Sequence, residues 1–368
     1  MKNSIKSLLT AATLLYGCHI ACAGPTEDLW AALKSANYPN ALTAIAAGAD
    51  MKSLDPAFGT PLNLAACWAD VAVVKALIDA GSDVNFIAPT NKYNPLMNAA
   101  QWGNTEAVKL LLAAGSDIKI KNVIGQTMVA CAVYGAKLEI VKMIVDAGAD
   151  PNEKYKIVAL EQTPLSSLIG VHSPKEKIAY IQSVSKSLGG LGITFPDHLK
   201  NAKETDFSTL EQLATYLLDK GADPNQKVIG SWRTVLFQCI EFGKTGAALA
   251  LIKAKADIEA TGMIVGGSAG KQNHYEVTPI MVAAAKGDNA VVEALIALGA
   301  NVNFLGVQHK GNVSQSTSGS TTTTSIENSW EYNTALSLAN DNKHPDTAAL
   351  LSAAGALGPR EVMKMKKK

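Results

Sequence analysis

The sequence lacks an excess of charge of either sign. Of its 368 residues, 33 are Lys or Arg and 32 are Asp or Glu, so the formal net charge is only +1. Proteins that capture nucleic acid by electrostatics carry a basic excess on the domain that binds. The balance of charges therefore argues against DNA or RNA as a partner.

Motifs that carry chemistry are also missing. There is no C-x-x-C and no H-E-x-x-H, so no histidine stands in a recognised metal-ligand spacing. The one G-x-S-x-G string, GGSAG at 266–270, falls in a presumed hairpin and not on a strand-to-helix turn, and neither a P-loop nor a dinucleotide fingerprint occurs. We therefore expect no enzyme activity, no cofactor and no metal ion.

Long apolar runs are absent except near the N-terminus, which reads MKNSIKSLLTAATLLYGCHIACAGP. Two lysines precede an apolar run, and Ala21-Cys22-Ala23 precede Gly24, which is the layout of a secretory signal. The run is too short for a stable membrane span. We predict that residues 1–23 form a signal peptide and that the protein is periplasmic or secreted. Because LYGC, ending at Cys18, is similar to a lipobox, a lipoprotein anchored through Cys18 is the alternative.

What the sequence does contain is a repeat. The stretch TPLNLAACWADVAVVKALIDAGSDVN begins at Thr60, and its glycine, Gly81, follows after an offset of 21 residues. The same offset joins these pairs: Asn94 and Gly115, Thr127 and Gly148, Thr278 and Gly299, Thr334 and Gly355, and Thr234 and Lys255. Thr163 and Gly221 are separated by 58 residues, so 37 residues are inserted there.

Each repeat predicts two helices. The first residue can cap a helix with its side-chain oxygen, and a proline that suits the first helical position often follows it. A branched aliphatic lies two residues beyond the cap, and an alanine usually lies five beyond it. The second helix ends at the glycine, which enters the left-handed conformation without a Cβ penalty. At Lys255 the same conformation should cost about 1 kcal/mol.

The T-P-L, A-A, V-V-x-L-L and G-A-D-x-N signatures, at a period near 33, resemble the ankyrin repeat from about Glu27 to Gly355. The resemblance implies an all-α repeat solenoid. Two lengthened fingers near the C-terminal end, 260–277 and 304–333, have β-prone arms around a Gly- or Ser-rich centre, so we predict that both form extended β-hairpins, with a flexible linker as the alternative for the second. The family's histidine after T-P-L is missing in every repeat, which puts stability in question more than fold. It is replaced by Asn63, Met97, Ala130, Ser166, Phe237, Met281 and Ser337.

The predicted organisation follows from these repeats. It comprises an N-terminal capping repeat at 24–54, repeats 1–3 at 55–153, repeat 4 at 154–226 with a helical insertion at about 170–209, repeats 5–6 at 227–303 with a long finger at 260–277, a second long finger and C-terminal capping repeat at 304–358, and a solvated basic tail at 359–368. Within the insertion, SPKEKIAYIQSVSKSLGG has helical spacing and GITFPDHLKNAKETDF is read as a loop. We expect the insertion to pack on the convex side, with a partner-binding knob as the alternative.

Cysteine is scarce after the predicted cleavage site. Cys67, Cys131 and Cys239 fall in the first, third and fifth repeats. Helix layers stack about 8–10 Å apart, so successive cysteines lie about twice that distance apart, whereas a disulfide needs Cα atoms within about 7 Å. We predict small buried hydrophobes without bridges.

The function is therefore predicted from the residues that the repeats would present for binding on their surface. Ankyrin-like stacks present fingers and first-helix faces as a concave groove, and Tyr, Trp and Arg dominate interface hot spots. The candidate partner-binding residues at finger positions are Tyr93, Trp232, Arg233, His274, Tyr275, His309, Lys310, Trp330 and Tyr332. His274 and His309 lie on successive fingers and could approach each other, so a surface metal site there is a weaker alternative.

We expect a monomeric, non-enzymatic scaffold that binds a protein partner of unknown identity, with no nucleic acid and no membrane span. Three alternatives stay open. The protein could be a periplasmic immunity protein that inhibits a toxic enzyme, a secreted host-directed effector, or an enzyme with a site in the repeat-4 insertion around His172, Asp197 and His198.

Overall fold

The computed structural model describes residues 24–157, 160–171, 178–179, 182, 195, 197–200, 207–228, 233–266, 273–318 and 321–367. The predicted signal peptide, with Cys18, and most of the predicted insertion helix lie outside these residues. Within this part of the chain, no helix has the length and apolar character that crossing a membrane requires.

The elements up to residue 219 are mainly helix pairs, with one small hairpin, a 3₁₀ helix and a short helix before the last of them. In chain order the elements are α1 (Pro25–Lys34), α2 (Tyr38–Ala46), α3 (Pro61–Trp68), α4 (Val71–Asp79), α5 (Pro95–Trp102), α6 (Thr105–Ala113), α7 (Met128–Tyr134), α8 (Leu138–Asp146), β1 (Tyr155–Ile157), β2 (Leu160–Gln162), a 3₁₀ helix (Ser166–Gly170), α9 (Asp197–Lys200) and α10 (Phe207–Asp219).

The remaining elements alternate between helix pairs and hairpins. They are β3 (Lys227–Val228), β4 (Arg233–Thr234), α11 (Val235–Glu241), α12 (Thr245–Lys253), β5 (Gly262–Gly266), β6 (Asn273–Val277), α13 (Pro279–Lys286), α14 (Asn289–Ala297), β7 (Gly306–Ser318), β8 (Thr321–Asn333), α15 (Ala335–Asp341), α16 (Pro345–Ala353) and α17 (Pro359–Lys366).

Contacts divide the chain into two units. The first takes residues up to Asp117 together with 174–202, and the second takes 118–173 and 203–368. In the first unit, the first helices α1, α3 and α5 form one layer and the second helices α2, α4 and α6 form another. In the second unit, α7, the 3₁₀ helix, α11, α13 and α15 form the first-helix layer, while α8, α10, α12, α14 and α16 form the other.

The predicted helix caps are present in most repeats. The side chain of Thr60 accepts from the N–H of Asn63, and equivalent bonds form at Asn94, Thr127, Thr234 and Thr334. Thr278 is the exception. Its side chain makes no cap bond, and its Oγ1 is buried without a hydrogen-bond partner.

The predicted helix ends and core positions are also confirmed. The glycines that end the second helices have φ between 80° and 102°, and Lys255 adopts the same conformation with φ 61°. The aliphatic two residues past the cap is at most 1% exposed in six repeats, and half-buried Leu336 is the seventh. Alanines five past the cap, such as Ala99 and Ala283, are fully buried, which lets neighbouring helices approach closely.

Two predictions were wrong in detail. The first helix of repeat 4 is a short 3₁₀ helix, in which the carbonyl of Thr163 accepts from the hydroxyls of Ser166 and Ser167 in addition to the N–H of Ser167. The segment read as a loop after the insertion helix contains α9. The described lysines of the basic tail are exposed, and the tail forms α17, which Pro359 opens and two lysines in its last turn stabilise against the helix dipole.

Phe195, a described residue of the insertion, does not pack on the convex side where the insertion was expected. Phe195, which is 3% exposed, lies with its ring 5.2 Å from that of Trp68 and 6.2 Å from that of Trp102. These tryptophans are the last residues of α3 and α5, which are first helices, so the contact is not with the convex layer. The two indole rings contact each other edge to face at 4.8 Å. An apolar aromatic surface explains this placement, because Phe195 buries itself where such a surface is available.

The two long fingers form hairpins, as predicted, but they also join. Strands β5 to β8 pair in order as one four-stranded antiparallel sheet. Two small hairpins, β1–β2 and β3–β4, were not predicted.

Candidate partner-binding sheet

The sheet begins directly on the first helices of the second unit, and two glycines make this possible. A Cβ at Gly262 would lie 2.7 Å from the ring of Phe237, and a Cβ at Gly306 would lie 2.3 Å from the carbonyl oxygen of Glu276. Val277, paired with Gly262, is only 3% exposed. The base of the sheet is therefore held by buried contacts.

Strand register places three of the predicted residues in one row. His274 is paired with His309, and His309 is paired with Trp330. Because side chains alternate along a strand, residues two positions along from this row belong to the same face. Two of them are Glu276 and Tyr332, both exposed, with Tyr332 at 42%. We call the face defined by His274, Glu276, His309, Trp330 and Tyr332 the outer face.

The other predicted finger residues belong to the opposite face. Tyr275 is paired with Gln308, and Lys310 is paired with Asn273. Two residues along from Tyr275 is Val277, which is buried, so this face is covered at its base. The register therefore separates Tyr275 and Lys310 from the outer face.

Arg233 lies beneath the sheet. Its guanidinium forms an ion pair with Glu241 at 2.5 Å and stands 5.8 Å from the ring centroid of Phe237. Because Phe237 also supports Gly262, Arg233 and Phe237 together hold the start of β5. Sequence reasoning missed Phe237, Gly262 and Gly306. The signal for Phe237 was a large aromatic ring in place of the family's histidine.

Tyr93 lies in a finger of the first unit and is half-buried. Its carbonyl accepts from the N–H of Ala88 at 2.9 Å and from Nδ2 of Asn63 at 3.2 Å. Asn63 stands where the family has histidine, and its amide ties the first helix to the following finger. The absence of the family's histidine therefore does not remove the connection between the first helix and the finger in this repeat. Trp232 lies outside the described residues.

The residues of the enzyme alternative are not brought together as a described site. His172 lies outside the described residues, as does the side chain of His198. The carboxylate of Asp197 pairs with Lys200 at 3.0 Å and its side chain is 86% exposed. Among the side chains that the structure describes, which do not include those of His274 and His309, no group of three or more His, Cys, Asp and Glu is arranged around a possible metal ion.

Burial shifts several pKa values in the helix layers. Burial, with the charge of Asp70, raises the pKa of Tyr38 to about 12. Burial also raises the pKa of the Cys239 thiol to about 12 against the opposing effect of Lys244. Cys67, Cys131 and Cys239 are all buried and unbridged, as predicted.

Comparison with known proteins agrees with this architecture. A family model described as ankyrin repeats (3 copies) matches residues 29–122, and one described as ankyrin repeat matches residues 275–306. The crystal structure of the human ASB11 ankyrin repeat domain is similar in fold, with a TM-score of 0.50 and 17% sequence identity, over 79% of this chain and 97% of that one. Among curated proteins, none is similar enough to count as a relative.

Residues 29–122 and 275–306 are thus ankyrin repeats, and the chain as a whole is similar in fold to an ankyrin repeat domain. Ankyrin repeats indicate a protein-binding scaffold, and the long four-stranded sheet is the feature this chain adds to them.

Proposed function

We propose that this protein is exported and captures a protein partner on the outer face of its four-stranded sheet. The observation that carries the proposal is the row His274, His309 and Trp330, continued by Tyr332, on a sheet whose base is fixed in the repeat core. Tryptophan and tyrosine supply most of the energy of many interfaces, and a rigid base lowers the entropy cost of binding.

Two variants separate the base of the sheet from its tip. Trp330→Ala with Tyr332→Ala removes the aromatic groups of the outer face. In the second variant, residues 312–327 are replaced by Asn-Gly between the paired residues Gly311 and Asn328, which shortens the β7–β8 hairpin with a turn that suits antiparallel strands. Leu298→Ala serves as the control, because Leu298 is 54% exposed at the end of a second helix.

We expect the wild-type protein and the control to capture the same partner from an envelope fraction. The aromatic variant should lose capture while its helical circular dichroism is unchanged. If only the variant with the shortened β7–β8 hairpin loses capture, the binding site lies at the tip of that hairpin. Capture that neither variant weakens would overturn the assignment of the sheet as the binding surface.

Export is tested separately. We expect mass spectrometry of the protein from cells to show an N-terminus at Gly24, since the signal layout ends at Ala23. A diacylated N-terminus at Cys18 would support the lipid-anchored form instead, and an uncleaved Met1 in the cytoplasm would refute export. If the captured partner is an exported toxic enzyme that the protein inhibits, the immunity function follows. A host protein would support the effector function.

A further inference from the structure

The junction between the two hairpins is the weakest pairing in the sheet. Strands β5 and β6 share five registered pairs and β7 and β8 share thirteen, but β6 and β7 share only three. An antiparallel ladder of three pairs contributes few backbone hydrogen bonds. This short ladder would benefit most from an additional crosslink.

The central pair of that short ladder is His274 with His309. Residues directly opposite in an antiparallel pair have Cβ atoms about 4.5–5.5 Å apart. Glu276 lies two positions along β6 from His274, about 6.6–6.8 Å away on the same face at the usual rise per residue. The backbone positions of two histidines and one glutamate thus form a small triangle on one face of the sheet.

We propose that His274, His309 and Glu276 form a binding site for one divalent transition-metal ion of the Zn²⁺ class, and that the ion joins the two hairpins across β6 and β7. Imidazole nitrogen and carboxylate oxygen are ligands that suit Zn²⁺, and three protein ligands leave further positions for water.

The position of the triangle favours binding. Glu276 is exposed, so an ion reaches it directly from solvent. The next residue, Val277, is 3% exposed and fixes this end of β6 in the core. Because a ligand position that is already ordered loses less entropy on binding, the backbone offers the ion a partly prepared site.

The chain gives no local signal for such a site. His274 and His309 belong to different fingers, and no short motif joins them. The triangle exists only because β6 pairs with β7. It is independent of any protein partner, since loss of partner capture would leave the metal ligands in place.

The test is calorimetric titration of the tag-free protein with ZnCl₂. We expect one ion per chain with an affinity on the order of micromolar. His274→Ala and His309→Ala should each weaken binding by about 10- to 100-fold, and Glu276→Gln should weaken it by about tenfold, since each removes one ligand. Gln308→Ala is the matched control, because Gln308 is next to His309 in β7 but belongs to the opposite face.

A second measurement covers the event that a variant folds poorly. Zn²⁺ should raise the melting temperature of the wild-type protein and of Gln308→Ala, because an ion that binds only the folded state stabilises it. Zn²⁺ should not change it for His309→Ala. Affinity unchanged in both histidine variants, or no binding by the wild-type protein at about 100 μM Zn²⁺, would overturn the proposal.

Discussion

Phe195 offers the sharpest test of how the insertion packs. Its ring is 3% exposed and contacts Trp68, which is 5% exposed, and Trp102. Truncation of a buried phenylalanine to alanine typically costs 3–5 kcal/mol, a range that includes the lost aromatic contacts. We therefore expect Phe195→Ala to destabilise the first unit by about 3 kcal/mol.

The assay is urea unfolding followed by tryptophan fluorescence. With a slope of about 1–3 kcal/mol per molar urea, a loss of about 3 kcal/mol should lower the midpoint of the transition by about 1–3 M. The emission of the native protein should also shift to longer wavelength, because Trp68 and Trp102 gain contact with water. Circular dichroism at 222 nm, measured in parallel, reports all of the helices and separates this effect from global unfolding, since repeat arrays need not unfold in one step.

Two variants bracket the result. Phe195→Leu keeps most of the apolar volume and should recover a large part of the loss. Phe242→Ala removes a phenylalanine that is 57% exposed and should change stability by no more than about 0.5 kcal/mol. If Phe195→Ala behaves like Phe242→Ala and leaves the emission unchanged, the insertion does not cover the two tryptophans and its assignment to the first unit is wrong.

Three further predictions concern the repeats. Lys255→Gly should raise the free energy of unfolding by about 1 kcal/mol in chemical denaturation, and Gly299→Lys should lower it by a similar amount. Both positions are left-handed, and a Cβ at Gly299 meets no atom within 4 Å. A change of the same sign in both variants would refute backbone strain as the cause. The three buried thiols should react with Ellman's reagent at pH 8 only in concentrated guanidinium chloride. Burial raises the pKa of Cys239 to about 12 and also raises the pKa of Cys67. Rapid reaction of the native protein would show that the helix layers open. Burial by itself raises the pKa of Asp55, but hydrogen bonds from Lys34, Ala57 and Phe58 and the charge of Lys34 bring this pKa below its ordinary value. A depressed pKa stabilises the folded state above the ordinary value of about 3.9 and loses that contribution as the pH falls through the folded value. The stability of Asp55→Asn should therefore fall less steeply than that of the wild-type protein between about pH 4 and pH 2, and parallel curves would contradict the assignment.

Local patterns accounted for most of the repeat architecture. A cap, a proline, an aliphatic residue and a terminal glycine each act within one or two helical turns, so their spacing was enough to place α3, α5, α7, α11, α13 and α15. The same reasoning failed where a local competitor intervened. In repeat 4, the carbonyl of Thr163 accepts from the hydroxyls of Ser166 and Ser167 as well as from the N–H of Ser167, and the helix is 3₁₀ although the T-P-L signature is intact.

The candidate site shows the limit of such reasoning more clearly. Aromatic and histidine residues at finger positions were identifiable one by one. Their division between two faces was not, because it depends on the register between strands from different repeats. Arg233 illustrates the point, since its ion pair with Glu241 and its contact with Phe237 place it under the sheet.

The sequence by itself therefore determined the repeat unit, its helix boundaries and the existence of two long hairpins, because these depend on residues close together in the chain. Tertiary structure alone decided that the hairpins share one sheet, that His274 pairs with His309, and that Phe195 covers Trp68. Each of these contacts joins segments far apart in sequence, and burial and strand pairing between such segments leave no periodic signal in the chain.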